Sequence, residues 1–193
     1  MTGLRQSAPS VVVGVALLVF GGCGAAPKPA PVTAAPTPTV ERYGAPVITD
    51  PRDVSTVFGS PCTQLLTQED LRTLRIVEEG RPRSYLGSNQ CSWTTRDDDL
   101  LSLAVDNDRD LLVDTYRARL TPIFIPTTVE GLPAVREKTS DAYNACTVTV
   151  GLGPRQAIEA DWNGLAPAAR APDPCAQAER ALSLAIRKLP PQK

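Results

Sequence analysis

The chain has 193 residues, with 20 Lys plus Arg against 21 Asp plus Glu and no histidine. The lack of histidine excludes histidine general bases, Ser-His-Asp and Cys-His nucleophile systems and histidine-ligated metals, and leaves carboxylate, Lys or Tyr chemistry to any enzyme built from this sequence. Charges of both signs are interspersed, which argues against nucleic acid or an anionic lipid surface as a partner, since both need a concentrated basic face.

The N-terminal stretch is organised for export. Arg5 precedes an apolar run from Val11 to Phe20, a length that suits a secretory signal and is too short to cross a bilayer as a helix. Gly21 and Gly22 then offer small residues to a signal peptidase, and Cys23 follows directly. This places a signal peptide over 1–22 and a lipidation site at Cys23, with Phe20 standing where such a signal more often carries Leu. Residues 24–46 are rich in Ala, Thr and Pro, with prolines at 27, 29, 31, 36, 38 and 46. This composition cannot bury a core, and its proline density favours extended polyproline II, so 23–46 reads as a lipidated cysteine and a semi-rigid tether.

Residues 47–193 number 147, enough for a single domain with a sizeable core. With Cys23 assigned to lipid, Cys62, Cys91, Cys146 and Cys175 remain, an even number that reads as two disulfides in an exported domain. Three connectivities are open. The local sequence favours Cys62–Cys91 and Cys146–Cys175, because each pair joins a helix-entry cysteine after proline to a strand cysteine. Zinc is disfavoured by the absence of a Cys-x-x-Cys pair.

In chain order, Thr67-Gln-Glu-Asp70 is the entry of a short helix with Leu71 and Leu74 on its inner side. Arg81 to Asn89 reads as a loop. Gln90 to Arg96 and Leu100 to Asp106 alternate as two strands around the acidic turn Asp97-Asp98-Asp99, with Leu101, Leu103 and Val105 on one face. A helix opens near Asp108, carries Leu112, Val113, Tyr116 and Leu120 at helical spacing, and is stopped by Pro122. Gly131 to Lys138, Ala145 to Leu152 and Gln156 to Trp162 are three further strands; Cys146, Val148 and Val150 share a face, as do Ile158, Ala160 and Trp162. Asp173-Pro174 starts a last helix through capping and an N1 proline, with Ala178, Leu182, Ala185, Ile186 and Leu189 inward. The expectation is an α+β fold: an antiparallel sheet of about five strands packed by about three helices, with two disulfides.

Several motifs resemble one family when taken together. Signal plus lipobox, Pro/Thr/Ala tether, Pro61-Cys62-x-x-Leu-Leu-Thr-x-Glu-Asp-Leu71, Cys91-Ser-Trp93, Cys146-Thr-Val-x-Val150 and Asp173-Pro-Cys-Ala-x-Ala178 resemble the actinobacterial lipoproteins grouped as domain of unknown function 3558. The resemblance covers most of residues 50–190 and implies an α+β domain with a cell-envelope address. It carries over the cysteine framework and no catalytic or ligand-binding residue.

No constellation of residues specifies an activity. Asp106-Asn-Asp108-Arg-Asp110 begins like a calcium loop but has Leu111 where Gly is needed and Arg117 where Glu is needed, so no metal site and no cofactor are expected. Trp93 and Trp162 are candidates for ligand contact, weighed against core packing beside each disulfide. The Ile123-Phe124-Ile125 run fits a core strand better than an exposed patch. The expectation for function is a non-enzymatic envelope lipoprotein, anchored on the extracytoplasmic face of the membrane and binding an envelope protein or a small hydrophobic ligand. A lipid or glycolipid carrier with an apolar cavity is the alternative, and a carboxylate-based hydrolase stands third.

Overall fold

The computed structural model describes residues 41–192. Seven antiparallel strands form one sheet: β1 Arg81–Tyr85, β2 Ser88–Thr94, β3 Leu100–Asp106, β4 Ile123–Val129, β5 Leu132–Lys138, β6 Ala145–Gly153 and β7 Gln156–Asn163. Their spatial order is β1-β2-β3-β7-β6-β5-β4. Two meanders, β1–β3 and β4–β7, are therefore joined side by side through the β3–β7 pair. Five helices accompany them: α1 Ser55–Phe58, α2 Pro61–Gln64, α3 Gln68–Thr73, α4 Leu111–Ala118 and α5 Pro174–Ile186.

This corrects the expected five strands and three helices. The two strands missing from the expected five are β1 and β4, which form the two edges of the sheet; the Ile123-Phe124-Ile125 run, expected in a core strand, instead opens edge strand β4 with Ile125 exposed. Each contains a proline, Pro82 and Pro126, which an edge strand tolerates because one row of its N–H groups needs no partner. All five residues of β1 are exposed, so the strand lacks the alternation that marks a half-buried one. Helix α1 is unexpected, and the helix entry read at Pro61-Cys62 is a separate turn, α2, ahead of α3; both are single turns of four residues, too short to show helical periodicity.

Period-two alternation sorts the inner strands onto two faces. Cys91, Trp93, Leu101, Leu103, Val105, Val148, Val150, Ile158 and Ala160 point to one face and are buried there beneath α5 and the short helices. Helix α5 begins as its sequence dictates: Asp173 accepts the Cys175 N–H, and Pro174 occupies the first helical position. Its residues Ala178, Leu182, Ala185 and Ile186 are buried, as is Leu189 just beyond its end. Disulfide Cys62–Cys91 fixes α2 to β2, and Cys146–Cys175 fixes α5 to β6, each spanning 29 residues of sequence.

The opposite face is different. Strand β3 lies in the middle of the sheet and β4 at its far edge, so the connection between them must cross β7, β6 and β5. Helix α4 lies in that crossing. It buries Leu112, Val113 and Tyr116 against Val135, with Ala45 completing this small second core. Asp110 caps it by accepting the Val113 N–H and pairs with Arg42 at 3.2 Å. Gly151 lets the helix approach: a Cβ there would lie 2.8 Å from Leu112 and 2.9 Å from Ile48. The helix ends at Ala118, one turn before Pro122, through Arg119 in the left-handed conformation, and Leu120 is left exposed. Among the described residues no helix is long and apolar enough to cross a membrane.

Candidate functional site

The face that α4 only partly covers carries a row of polar side chains instead of an apolar layer. Register aligns Ser92 (β2), Ser102 (β3), Asp161 (β7), Thr147 (β6) and Glu137 (β5) across five adjacent strands. The next row places Gln90, Ala104, Glu159, Thr149 and Val135 in the same order. These residues alternate with the inward positions named above, so one pattern builds both the core and this floor.

Three carboxylates converge on it. Thr147 donates its hydroxyl to Asp161 at 2.6 Å, Thr149 donates to Glu159 at 2.8 Å, and Thr121 donates to Glu137 at 3.1 Å. Three adjoining depressions of about 260, 240 and 220 Å³ open over the floor, and each is lined by a different pair of these acids. The first, beside α4, holds Glu137 and Glu159. The second, toward the β1–β2 turn, holds Glu159 and Asp161. The third, at the strand ends, holds Glu137 and Asp161.

The electrostatics of the cleft are unbalanced. None of the three acids makes an ion pair among the described residues, and the two cations that border the cleft are engaged elsewhere: Arg109 with Asp106 at 3.0 Å and Lys138 with Asp141 at 2.8 Å. Burial is the main force on all three carboxyls and pushes each of them up. Glu159 is raised to about 7, first by desolvation and then by the neighbouring Asp161, with Glu137 and Asp106 adding and the Thr149 hydroxyl opposing. Such a carboxyl exchanges its proton near neutral pH. The cleft can therefore hold a proton or a cation, or pass a proton to a bound group.

Sequence reasoning did not single out Glu137, Glu159 or Asp161. The available signal was the alternation that sends Ile158, Ala160 and Trp162 inward, since it sends Glu159 and Asp161 to the other face. What it could not supply is α4, whose passage over that face turns solvated acids into desolvated ones.

Of the residues that sequence reasoning did single out, Trp162 and Cys146 border the site and the others lie elsewhere. Trp93 is buried in the main core at 1% exposure, against Gly80 and the Cys91 sulfur. Trp162, at 5%, packs in the same core with its strand neighbour Cys146, and both also line the third depression. The calcium-like run is taken up internally: Asp106 accepts from Arg109 and Ser88, Asp108 from Arg155, and Asp110 caps α4. Among the described residues no group of three or more acidic, cysteine or histidine side chains is placed to hold a metal ion. Asp97 pairs with Arg75, while Asp99 accepts the Leu165 N–H. Cys23 and the tether before residue 41 lie outside the described residues.

The fold and its cleft define a class: a mostly-sheet domain with two disulfides that staple helices to one face, and a carboxylate-lined cleft under a crossing helix on the other. Residues 18–188 match the family model described as "Protein of unknown function (DUF3558)". The chain belongs to that family. Comparison with the curated proteins gives no match, and comparison with the solved structures gives none either.

Proposed function

We propose that this protein is a lipid-anchored lipoprotein of the cell envelope, held on the extracytoplasmic face of the membrane through Cys23, and that its folded domain is a binding module rather than an enzyme. The acidic cleft is its ligand site, and the ligand carries positive charge, as an amine or polyamine or as the basic side chains of a partner protein. One observation carries this reading: Glu137, Glu159 and Asp161 share a cleft with neutral threonine hydroxyls as their hydrogen-bond donors and no ion pair. A desolvated acidic group without a cation is costly, and an incoming ammonium relieves that cost through close, charge-assisted hydrogen bonds. Exposed Tyr85 and Leu86 at one end and Leu120 at the other supply apolar rims for the body of such a ligand.

Backbone amide shifts recorded while spermidine is titrated into the purified full chain test the site. Shifts centred on residues 147–149 and 159–161 are the expected result; shifts scattered over surface acids, or none, would rule the cleft out as a cation site.

A hydrolytic reading has one observation in its favour, because a carboxyl titrating near 7 is suited to general acid–base work at neutral pH. It requires turnover of a glycoside or ester that Glu159→Gln abolishes, a result that the binding reading does not give.

A further inference from the structure

A second cleft lies near the other face of the sheet, where the β2–β3 turn meets the start of α5. It measures about 370 Å³, within the range of roughly 300–1,000 Å³ usual for small-molecule sites. Its floor and end are apolar, formed by Leu74 and Trp162 with Ala166, Ala171 and Pro172.

The charges that line it are opposite but unequally satisfied. One wall is the β2–β3 turn, held by the buried Thr95, whose Oγ1 accepts the N–H groups of Asp97 at 3.3 Å and Asp99 at 3.2 Å. Asp97 is paired with Arg75 at 2.6 Å, and Asp99 accepts the Leu165 N–H at 3.1 Å, which ties the loop before α5 to the turn. The cleft is also lined by Arg170 and by Gln177 and Arg180, the last two three residues apart on α5 and hence on one side of the helix. Neither Arg170 nor Arg180 makes an ion pair among the described residues, although both line a cleft that also contains Asp97 and Asp99. Asp99 makes no ion pair among them either, so the unpaired charges of this cleft are two guanidinium groups against one carboxylate, an excess of positive charge within a domain whose net charge over residues 47–193 is −3 (17 Lys plus Arg against 20 Asp plus Glu).

We infer that this cleft takes the carboxylate end of a short peptide. Guanidinium groups recognise carboxylates through paired, charge-assisted hydrogen bonds, which assigns the terminal carboxylate to Arg170 and Arg180. The Gln177 amide offers one donor group and one acceptor to the adjoining peptide unit. The apolar floor receives the terminal side chain. A free inorganic anion would engage the arginines and the Gln177 N–H donors but leave the apolar floor without a role.

The test is calorimetric titration of the purified full chain with three probes: the dipeptide Ala-Leu, its C-terminal amide, and inorganic phosphate. The dipeptide binds, its amide binds at least about tenfold more weakly, and the double variant Arg170→Gln/Arg180→Gln weakens the dipeptide by about tenfold or more. Both arginines are exposed, so the double variant should melt as the parent does, and a thermal melt confirms that it is folded. Glu159→Gln/Asp161→Asn, on the other face, leaves dipeptide binding unchanged, so the failure of one cleft is not confused with failure of the other. Equal affinity for dipeptide and amide, or an indifferent double variant, would overturn the inference. Phosphate binding without dipeptide binding would overturn it in favour of a plain oxyanion site, and binding of none of the three would remove the site altogether.

Discussion

Thr149 and Glu159 face each other across the β6–β7 pair, and the threonine hydroxyl donates to the glutamate at 2.8 Å. Thr149 is fully buried, so this bond holds the carboxyl at the floor of the cleft, in a fixed place and with little water around it. One neutral donor does not offset the loss of solvent and the proximity of Asp161. The glutamate is consequently raised to about 7.

This has a consequence for stability. A carboxyl raised on folding binds its proton more tightly in the native state, so its contribution favours folding at low pH and is lost as pH climbs from its ordinary value of 4.5 through about 7. Glu159 alone should lower stability by about 3 kcal/mol between pH 4 and pH 8, and the raised Asp161 and Glu137 act in the same sense. Thermal melts across that range should show Glu159→Gln more stable than the parent at pH 8, with the difference fading toward pH 4. An identical pH dependence in the variant would deny that Glu159 is desolvated.

Helix α4 creates that environment, and Gly151 determines how closely it can sit. Gly151→Val would drive a branched side chain into Leu112 and Ile48. The expected loss is about 1–3 kcal/mol in denaturant unfolding, the usual effect of overpacking. If α4 moves outward, Glu159 regains water and its titration, followed by carboxyl chemical shifts, moves back toward 4.5. Destabilisation with no change in titration would separate the helix from the chemistry of the cleft.

The disulfides act on the other face. Replacing Cys146 and Cys175 together by Ala should cost about 3.5 kcal/mol on the chain-entropy treatment of a closed loop of roughly 30 residues. Gly80→Ala tests the packing beside the first disulfide, since its methyl group would strike the Cys91 sulfur and the Trp93 ring. A drop of about 1–3 kcal/mol is expected there too, and a neutral outcome would mean that the segment holding Gly80 shifts freely.

The parts of the fold legible in the sequence are those where a single pattern acts alone. Leu101, Leu103 and Val105 alternate between two strong turns, and β3 occupies the expected residues. Asp173-Pro174 starts α5 where capping chemistry places it. Strand β1 escaped because an exposed edge removes the selection for alternation and admits Pro82, while β4 was legible only as the apolar run Ile123–Ile125, whose place at an edge the sequence did not show. The cleft escaped for a different reason. Glu159 and Asp161 have the spacing of ordinary solvent-facing acids, and only the long crossing from β3 to β4 brings α4 over them. Nothing local to either segment encodes that encounter.

Anchoring has its own test. On the proposed anchoring, Cys23→Ser should shift the protein in the producing cell from the membrane fraction to the soluble fraction, since the membrane affinity would then reside in the acyl chains. Retention of the variant on membranes would mean that another part of the chain binds there.

The most direct measurement for the central claim is calorimetric titration of spermidine into the full chain at pH 8 and pH 6, with Glu159→Gln/Asp161→Asn alongside. With Glu159 raised to about 7, the parent should bind at pH 8 and weaken by about tenfold at pH 6 as the proton displaces the cation, while the double variant loses both the binding and its pH dependence. Equal affinity at the two pH values, or a double variant that binds as the parent does, would contradict the assignment of the cleft as a cation-binding site.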